Sequence, residues 1–244
     1  MEGPTLIRIN KYLSVCGVTS RRGAEKLISE RRITVNDNVI EHPGTVIDEE
    51  TDVIKVNGII ASPVKSKYYV LLNKPQNVLT SLSDQFGRKT VAYFTNKVPG
   101  RVYPVGRLDF DTEGALLLTN DGDLAYRLAH PKFKIKRIYH AIVEGTFTSD
   151  DAKKIEAGIL LEDGHTGHGL ARNLSTGIKS SKIEITLYEG HKREIKQLMK
   201  AVGHPVIDLR RIEFAGLRVD NLRKGRWRFI SHTEVRMLKD LVGL

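Results

Sequence analysis

The sequence predicts an α+β protein built from two domains of unequal size. Its 244 residues suggest one or two domains at roughly 150 residues per domain. Residues 1–62 have the pattern of two short helices followed by short strands, whereas residues 68–244 have the pattern of many strands with few helices. Between them lies Pro-Val-Lys-Ser-Lys at 63–67, a short polar segment with proline that predicts a linker.

The composition predicts a folded, basic protein. Hydrophobic residues make up 40% of the chain, and 39 Lys and Arg exceed 29 Asp and Glu. Such a balance favours a polyanionic partner, with nucleic acid first among the candidates. A single cysteine, Cys16, excludes a disulfide framework and a cysteine-rich zinc site. Neither a signal peptide nor an apolar run of the roughly 20 residues that a membrane helix needs is visible, so we expect a cytoplasmic protein without membrane contact.

The charge is unevenly distributed along the chain. Residues 1–36 carry seven Lys and Arg against three Glu, and residues 192–228 carry eleven against four acidic residues. Residues 37–62 are acidic, with one Lys and six acidic residues. Because both basic segments interleave with apolar residues that would fix them on a folded surface, nucleic-acid binding is favoured over a merely solvated face.

The N-terminal elements follow from spacing and turn residues. A short helix with Ile9, Tyr12, Leu13 and Cys16 on one face can end at Gly17. Thr19 or Ser20 can cap a second helix over Arg21–Arg31. Strands are predicted at Ile33–Val35, Val39–Ile40 and Val53–Val56.

The second helix would place Arg21 and Arg22 in its first turn and Arg31 and Arg32 at its end. Free backbone N–H groups at its start add to the positive potential. This order of helix, Ser-Arg-Arg, helix and Arg-Arg-Ile-Thr-Val-Asn resembles the RNA-binding module named after ribosomal small-subunit protein four, here the S-four module. The resemblance implies that these four arginines bind RNA; the alternative is a small helical cap on the larger domain.

Residues 103–122 carry the strongest signal for chemistry in the second domain. Gly106–Asp109 reads as a loop, and Ala115–Thr119 as a buried strand because its apolar run is continuous. A tight turn follows, and Asp123 can cap a helix over Leu124–Ala129. Loops beside a rigid strand are frequent places for functional residues.

Three carboxylates, Asp109, Asp111 and Glu113, stand close together in this segment. From their chemistry alone they are compatible with divalent metal binding, with paired acid–base work or with loop capping. The neighbouring Arg107 supplies a cation of its own and argues against a metal cluster.

The segment around Asp109 is one of several ordered motifs in the chain. It consists of Gly106-Arg107-Leu108-Asp109 followed by Thr112, Gly114 and the strand into Gly122. The other motifs are Asn73-Lys74-Pro75, Phe86–Val91, His130-Pro131, Arg137–Tyr139, Val143–Gly145, Glu189–Lys196, Ala201–Gly203 and Leu209–Arg211. In this order they resemble the motifs of the RNA pseudouridine synthases, with Lys89 where proline is usual, and most of all those of the RsuA/RluB-type branch that modifies ribosomal RNA.

The resemblance implies a catalytic domain with a mostly antiparallel, bent sheet and the catalytic loop in a cleft across it. It implies isomerisation of uridine to pseudouridine in ribosomal RNA or a ribosomal subunit precursor, with large-subunit RNA favoured. Because the product is an isomer of the substrate, we expect no cofactor and no metal, and we expect a monomer. The alternatives are a catalytically inactive RNA-binding assembly factor on the same fold and a metal-dependent nuclease.

The resemblance also assigns residues. It implies that Asp109 is the catalytic aspartate, acting as nucleophile toward the sugar or as base, and that Lys196 is its basic partner. Tyr139 would stack on the uracil and transfer a proton, although a tyrosine in a strand is usually core packing. Leu209 would cover the other side of the base, or could be plain core.

Base flipping gives the remaining assignments. A stacked uracil must leave the RNA stack to reach a buried aspartate, at a cost of a few kcal/mol. The resemblance implies that the planar guanidinium of Arg107 fills the gap. Lys74, Lys192 and Arg193 are predicted to contact RNA.

Overall fold

The computed structural model describes residues 5–162 and 164–244, which divide into two compact units, Met1–Lys67 and Tyr68–Leu244. Residues 63–67 lie in the first unit, where the Val64 N–H donates to the Val15 carbonyl at 3.4 Å. Among the described residues, no helix combines the length and the apolar character that crossing a bilayer requires.

The first unit folds around a small apolar core. Its largest buried side chains, which are at most 1% exposed, come from both helices and three strands: Ile9, Leu13, Ile28, Ile33, Ile47 and Ile54. The elements in order are β1 (Leu6–Arg8), α1 (Ile9–Val15), α2 (Arg21–Ser29), β2 (Ile33–Val35), β3 (Asn38–Val39), β4 (Val46–Asp48), β5 (Ile54–Val56) and β6 (Ile59–Ile60). Strands β3, β2, β5 and β6 form one sheet, and β1 pairs with β4.

Capping and backbone geometry set the bounds of helix α2. The Ser20 hydroxyl accepts a hydrogen bond from the Gly23 N–H at 2.9 Å, so Ser20 is the N-cap residue. The helix ends at Ser29, two residues before the predicted end, because Arg31 has a φ of 55°, which a helix cannot accommodate.

The second unit is a large mixed α+β domain. Its strands are β7 (Tyr69–Lys74), β8 (Tyr103–Pro104), β9 (Glu113–Thr119), β10 (Arg137–Glu144), β11 (Ile159–Leu160), β12 (Thr166–Gly167), β13 (Leu170–Ser175), β14 (Ser180–Leu187), β15 (Val206–Phe214), β16 (Leu217–Arg218) and β17 (Trp227–Phe229). Its helices are α3 (Ala92–Thr95), α4 (Gly122–Ala129), α5 (Ser149–Ala157), α6 (Glu194–Ala201) and α7 (His232–Val242), with a 3₁₀ turn at Pro131–Phe133.

Nine strands form the main sheet, in the order β13-β14-β10-β15-β9-β7-β17, with β16 on β15 and β8 on β9. Strand β15 runs parallel to β9, whereas the other strand pairs recorded among the described residues are antiparallel. The prediction of an α+β fold with a mostly antiparallel sheet is therefore confirmed.

Strand β9 lies at the centre of this sheet and is buried along its whole length. Leu116 and Leu118 join one apolar cluster, whereas Ala115 and Leu117 join a second cluster on the opposite face. The continuous apolar run that predicted this strand thus reflects a sheet covered on both faces.

Helix α4 differs from its prediction at its start. Asp121, not Asp123, is the N-cap residue, since its carboxylate accepts the Leu124 N–H at 3.3 Å. The other Asp121 oxygen accepts the Tyr69 hydroxyl at 2.8 Å. This cap fixes the turn that leaves β9 against the neighbouring strand β7.

Candidate active site

The side chain of Lys74, the last residue of β7, holds the loop between β8 and β9, residues 105–112, in place. The Lys74 side chain is fully buried, and its ammonium donates to the carbonyls of Thr112 at 2.8 Å, Asp109 at 3.0 Å and Pro75 at 3.2 Å. The structure contradicts the prediction that Lys74 contacts RNA. The Lys74 ammonium is buried and donates its hydrogen bonds to backbone carbonyls of the loop, so a phosphate cannot reach it. Burial lowers the pKa of Lys74 to about 8, although the nearby carboxylates of Asp111 and Asp109 act against this shift.

Further hydrogen bonds fix the same loop from its other side. The Thr80 hydroxyl donates to the Leu108 carbonyl at 2.7 Å and accepts the Leu108 N–H at 3.2 Å. The Asn77 N–H donates to the Phe110 carbonyl at 2.8 Å, and the Thr112 N–H donates to the Asp109 carbonyl at 3.1 Å. The backbone around Asp109 is therefore positioned by internal contacts.

The Asp109 carboxylate itself is uncommitted. It is partly exposed, and within the described ranges no side chain or backbone group forms a hydrogen bond or ion pair with it. Its rigid backbone and free carboxylate are what a reacting group requires.

Gly114, at the start of β9, permits the closest backbone approach at the site. It pairs with Arg211 of β15, and its φ is 113°, a conformation that side chains rarely adopt. A Cβ atom at this position would lie 2.0 Å from the Arg211 carbonyl oxygen. Glycine is therefore required where β15 meets the catalytic loop.

Strands β10 and β15 form the wall opposite this loop. Tyr139 of β10 is paired with Arg211 of β15, and Ala141 is paired with Leu209. Tyr139 and Leu209 are buried, being 8% and 5% exposed, and both belong to the apolar cluster on one face of the sheet. The Arg211 guanidinium carbon lies 6.0 Å from the centre of the Tyr139 ring and 4.8 Å from that of Phe214.

These parts form a cavity of about 310 Å³, which all five residues predicted for catalysis and base binding line together: Arg107, Asp109, Tyr139, Lys196 and Leu209. The volume lies at the small end of the range for ligand sites, roughly 300 to 1,000 Å³, and suits a single nucleobase. Six cationic side chains line the cavity against the two acids Asp109 and Glu194; they are Arg107, Arg137, Lys192, Arg193, Lys196 and Arg211. This imbalance favours an anionic ligand.

Lys196 has a different partner from the expected one. Its ammonium lies 2.5 Å from an Asp111 carboxylate oxygen, and no ion pair with Asp109 is recorded within the described part of the chain. Burial alone would raise the pKa of the Asp111 carboxyl, but the Lys196 hydrogen bond and charge outweigh it and lower that pKa. Lys196 nevertheless lines the same cavity as Asp109, so the cation and the free carboxylate share one space.

The third carboxylate of the segment, Glu113, is buried and engaged elsewhere. Its two oxygens lie 2.7 Å from the Lys224 ammonium and 3.9 Å from the Arg210 guanidinium. Asp111 and Glu113 are thus both paired with cations. Among the described residues, none of the three carboxylates belongs to a cluster of side chains that could hold a metal ion. Paired acid–base work by two of them has no support in this arrangement.

Two polar groups that sequence reasoning missed also face the cavity. Thr112 Oγ1 and one terminal nitrogen of Arg211 are buried and have no hydrogen-bond partner in the described part of the chain, although Arg211 Nε donates to the Ala115 carbonyl at 2.7 Å. Buried polar groups are nearly always paired, so such atoms in a cavity indicate where a ligand binds. Both lie in quoted motifs, but only the fold turns them toward one space.

The arginines predicted to bind RNA divide into two kinds. Arg21 and Arg22 are exposed at the start of α2, and no ion pair with a described residue engages them. Arg31 lies 3.0 Å from Glu41, and Arg32 lies 2.9 Å from Glu30. In the second unit, Lys192 and Arg193 are exposed at the cavity mouth.

Comparison with known proteins identifies the family. Residues 68–201 match the RNA pseudouridylate synthase family, and residues 7–54 match the S4 domain. An uncharacterized RNA pseudouridine synthase of Aquifex aeolicus is 42% identical over 98% of this chain and 96% of its own. Ribosomal large subunit pseudouridine synthase B of Bacillus subtilis is 41% identical over 96% of each chain.

A solved structure supports the fold. The crystal structure of a pseudouridylate synthase, 24% identical in sequence, superimposes with a TM-score of 0.69 over 95% of this chain and 99% of that one. The family match and the two relatives confirm the predicted resemblance. The chain belongs to the RNA pseudouridylate synthase family and carries an S4 domain.

Proposed function

We propose that this protein isomerises a uridine of ribosomal RNA to pseudouridine, with large-subunit RNA or its precursor particle as the substrate. The observation that carries the proposal is the cavity in which the unpaired Asp109 carboxylate, the Tyr139 ring and the Lys196 ammonium meet. The name of the Bacillus subtilis relative supports the choice of large-subunit RNA.

The reaction needs one free carboxylate and no external reagent. The uracil–ribose C–N bond breaks, the uracil turns, and a C–C bond forms between the same two parts. Asp109 either attacks the sugar as a nucleophile or removes a sugar proton to give a glycal, and both routes start from an ionised, unpaired carboxylate. Six cationic side chains line the same cavity as this carboxylate.

The cavity walls suit a flipped base. Tyr139 and Leu209 are buried apolar surfaces that can sandwich a uracil ring, and the Tyr139 hydroxyl can move the proton that leaves the rotated base. The Thr112 hydroxyl and one terminal nitrogen of Arg211, which have no hydrogen-bond partner among the described residues, can bind the polar edge of the uracil or the ribose. Arg107 is exposed at the entrance, where its planar side chain can replace the extruded base in the RNA stack.

The rest of the chain supplies RNA affinity in this proposal. The S4 domain within residues 1–62 contributes Arg21 and Arg22, and Arg31 and Arg32 can exchange their exposed ion pairs for phosphates, since such pairs are weak. Lys192 and Arg193 hold the RNA at the cavity mouth. We propose that residues 63–67 connect this domain to the catalytic domain at 68–244, and that the protein acts as a monomer in the cytoplasm. An inactive assembly factor would have no reason to keep Asp109, Tyr139 and Lys196 around one cavity.

Mapping pseudouridine in ribosomal RNA tests the proposal. RNA from cells lacking the protein is compared with RNA from the same cells complemented by wild type or by Asp109→Asn. We expect at least one large-subunit pseudouridine to disappear, and wild type alone to restore it. Purified protein is then incubated with large-subunit and small-subunit RNA and with precursor particles. Unchanged maps together with no product on any of these substrates would refute the proposal.

A further inference from the structure

A second cluster of reactive side chains includes residues of the segment 188–193, which connects β14 to α6. His165 precedes β12, whereas Glu189 and His191 lie between β14 and α6. The two imidazole rings are stacked 3.6 Å apart at 24°, and Glu189 Oε2 lies 3.3 Å from His191 Nε2. One ligand atom from each of the three side chains lies within 4.8 Å of the other two.

The charge of the hollow that His165 and Glu189 line indicates which class of ligand fits there. It has a volume of about 490 Å³, and its charged lining residues are Glu156, Glu189 and Glu194 with one cationic side chain, Lys134. An acidic excess on a chain with a net charge of +10 disfavours an RNA phosphate at this place and favours a cation.

The donor atoms select the kind of cation. Two imidazole nitrogens and one carboxylate oxygen are ligands of Zn²⁺ and similar transition metals, whereas Mg²⁺ and Ca²⁺ prefer oxygen ligands alone. We propose that His165, Glu189 and His191 form a binding site for a divalent transition metal ion, Zn²⁺ first, with a fourth position open to water.

The geometry fits such an ion after small side-chain rotations. In a tetrahedral zinc site with bonds near 2.1 Å, neighbouring donor atoms are about 3.4 Å apart. The three side chains already lie within 4.8 Å, and a buried carboxylate holds the His191 backbone, since Glu194 Oε2 accepts the His191 N–H at 2.9 Å. The approach therefore needs rotation of three half-buried side chains, not movement of the fold.

The site has a structural consequence for the catalytic cavity. His191 lines that cavity as well, and the segment it belongs to continues into Lys192, Arg193 and the helix that carries Lys196. A bound metal ion would tie this segment to the loop of His165. The ion takes no part in the isomerisation and instead braces one wall of the cavity.

Metal binding by untagged, metal-free protein tests the inference. Zn²⁺ is titrated in competition with a chromophoric chelator, and Co²⁺ is added in parallel because its visible absorption reports tetrahedral coordination. We expect one Zn²⁺ per chain and a higher melting temperature with Zn²⁺. His165→Ala and His191→Ala should each bind Zn²⁺ at least about 10-fold more weakly. His42→Ala, which removes an exposed histidine of the first unit, should bind as wild type does.

Circular dichroism establishes that each variant is folded, so a lost site and a lost fold are distinguished. Glu189→Gln keeps the shape of the side chain and should weaken binding by removing its charge. If wild type binds no Zn²⁺ in stoichiometric amount, or if all variants bind it equally, the ion is adventitious and the site does not exist.

Discussion

The two units both present arginine and lysine to solvent, but they arrange these residues differently. In the first unit, Arg21 and Arg22 project from one exposed helix start, and they do not line the hollow of about 430 Å³ beside α2, which Gly23, Lys26 and Arg32 line. In the second unit, six cationic side chains gather around one cavity that also holds a free carboxylate. Exposed cationic side chains are common to both units, whereas the second unit gathers several of them around an unpaired reacting group.

This difference separates affinity from chemistry. Exposed cations attract phosphates without distinguishing one nucleotide from another, because they meet only the RNA backbone. A small cavity with apolar walls admits one base and holds it against a fixed carboxylate. Changes in the second unit should therefore act on the rate, and changes in the first unit should act on binding.

Asp109→Asn should produce the largest effect, abolishing isomerisation with a loss of at least about 10³-fold, because an amide neither attacks the sugar nor removes a proton. RNA affinity should stay within a few-fold of wild type, since phosphate contacts supply most of it. Single-turnover product formation and filter binding measure the two quantities. Asp111→Asn, a carboxylate two residues away that is paired with Lys196, is the matched control and should retain most activity. Product formation by Asp109→Asn at a substantial fraction of the wild-type rate would end the assignment.

Lys74→Met should lower the rate between about 10- and 100-fold, because the loop carbonyls that position Asp109 lose their donor and small displacements of a reacting group are costly. The orphaned carbonyls should also lower the free energy of unfolding by about 2 kcal/mol or more. Urea unfolding and single-turnover rates measure both. Lys97→Met, at an exposed lysine, is the control for loss of charge alone. If Lys74→Met weakened only RNA binding, the scaffold role would be wrong.

Arg107→Ala should lower the rate on folded RNA by roughly 10- to 100-fold, because about 1.4 kcal/mol corresponds to each factor of ten and unstacking costs a few kcal/mol. A short unstructured RNA, whose uridine is already unstacked, should suffer less. Arg107→Lys keeps the charge but lacks the planar group, so its rate on folded RNA should lie between the rates of wild type and Arg107→Ala. Equal losses on both RNAs would place Arg107 in the chemical step and remove its role in flipping.

Arg21→Ala combined with Arg22→Ala should leave the rate at saturating RNA almost unchanged. The log–log salt dependence of binding should flatten by roughly 0.7 to 0.9 per lost phosphate contact. Arg31→Ala combined with Arg32→Ala is the comparison within the same unit, and its effect should be smaller because these arginines face Glu41 and Glu30. An unchanged slope for the first pair would make the N-terminal unit a structural cap.

Local sequence signals predicted the elements well where one residue type controls the geometry. The continuous apolar run at 115–119 predicted β9, because a strand that is covered on both faces of its sheet carries such a run. The predicted N-cap of α4 was wrong because Asp121 and Asp123 are equally able to accept a backbone N–H. Only the turn after β9 decides which carboxylate faces the helix end.

The chemistry was harder to predict than the motif positions. A lysine in a motif looks the same whether it faces solvent or backbone, and only the burial of Lys74 reveals its use. Lys196 was expected to pair with Asp109, but it forms its ion pair with Asp111, which lies on the same loop. The grouping of His165 with His191 depends on how β12 and the segment before α6 fold together, which no spacing in the sequence encodes.

The order of strands in the main sheet has a consequence for how the protein is made. Strand β15, which comes late in the chain, inserts between β9 and β10, which come earlier. Until Phe214 has left the ribosome, β9 and β10 therefore each expose one unpaired edge, and Gly114 lacks its β15 partner Arg211. A growing chain passes through this stage at about 5 to 20 residues per second. The ribosome synthesises the catalytic loop early. The active site is complete only when the last third of the chain, which includes β15, has been synthesised. An incomplete chain therefore cannot modify RNA.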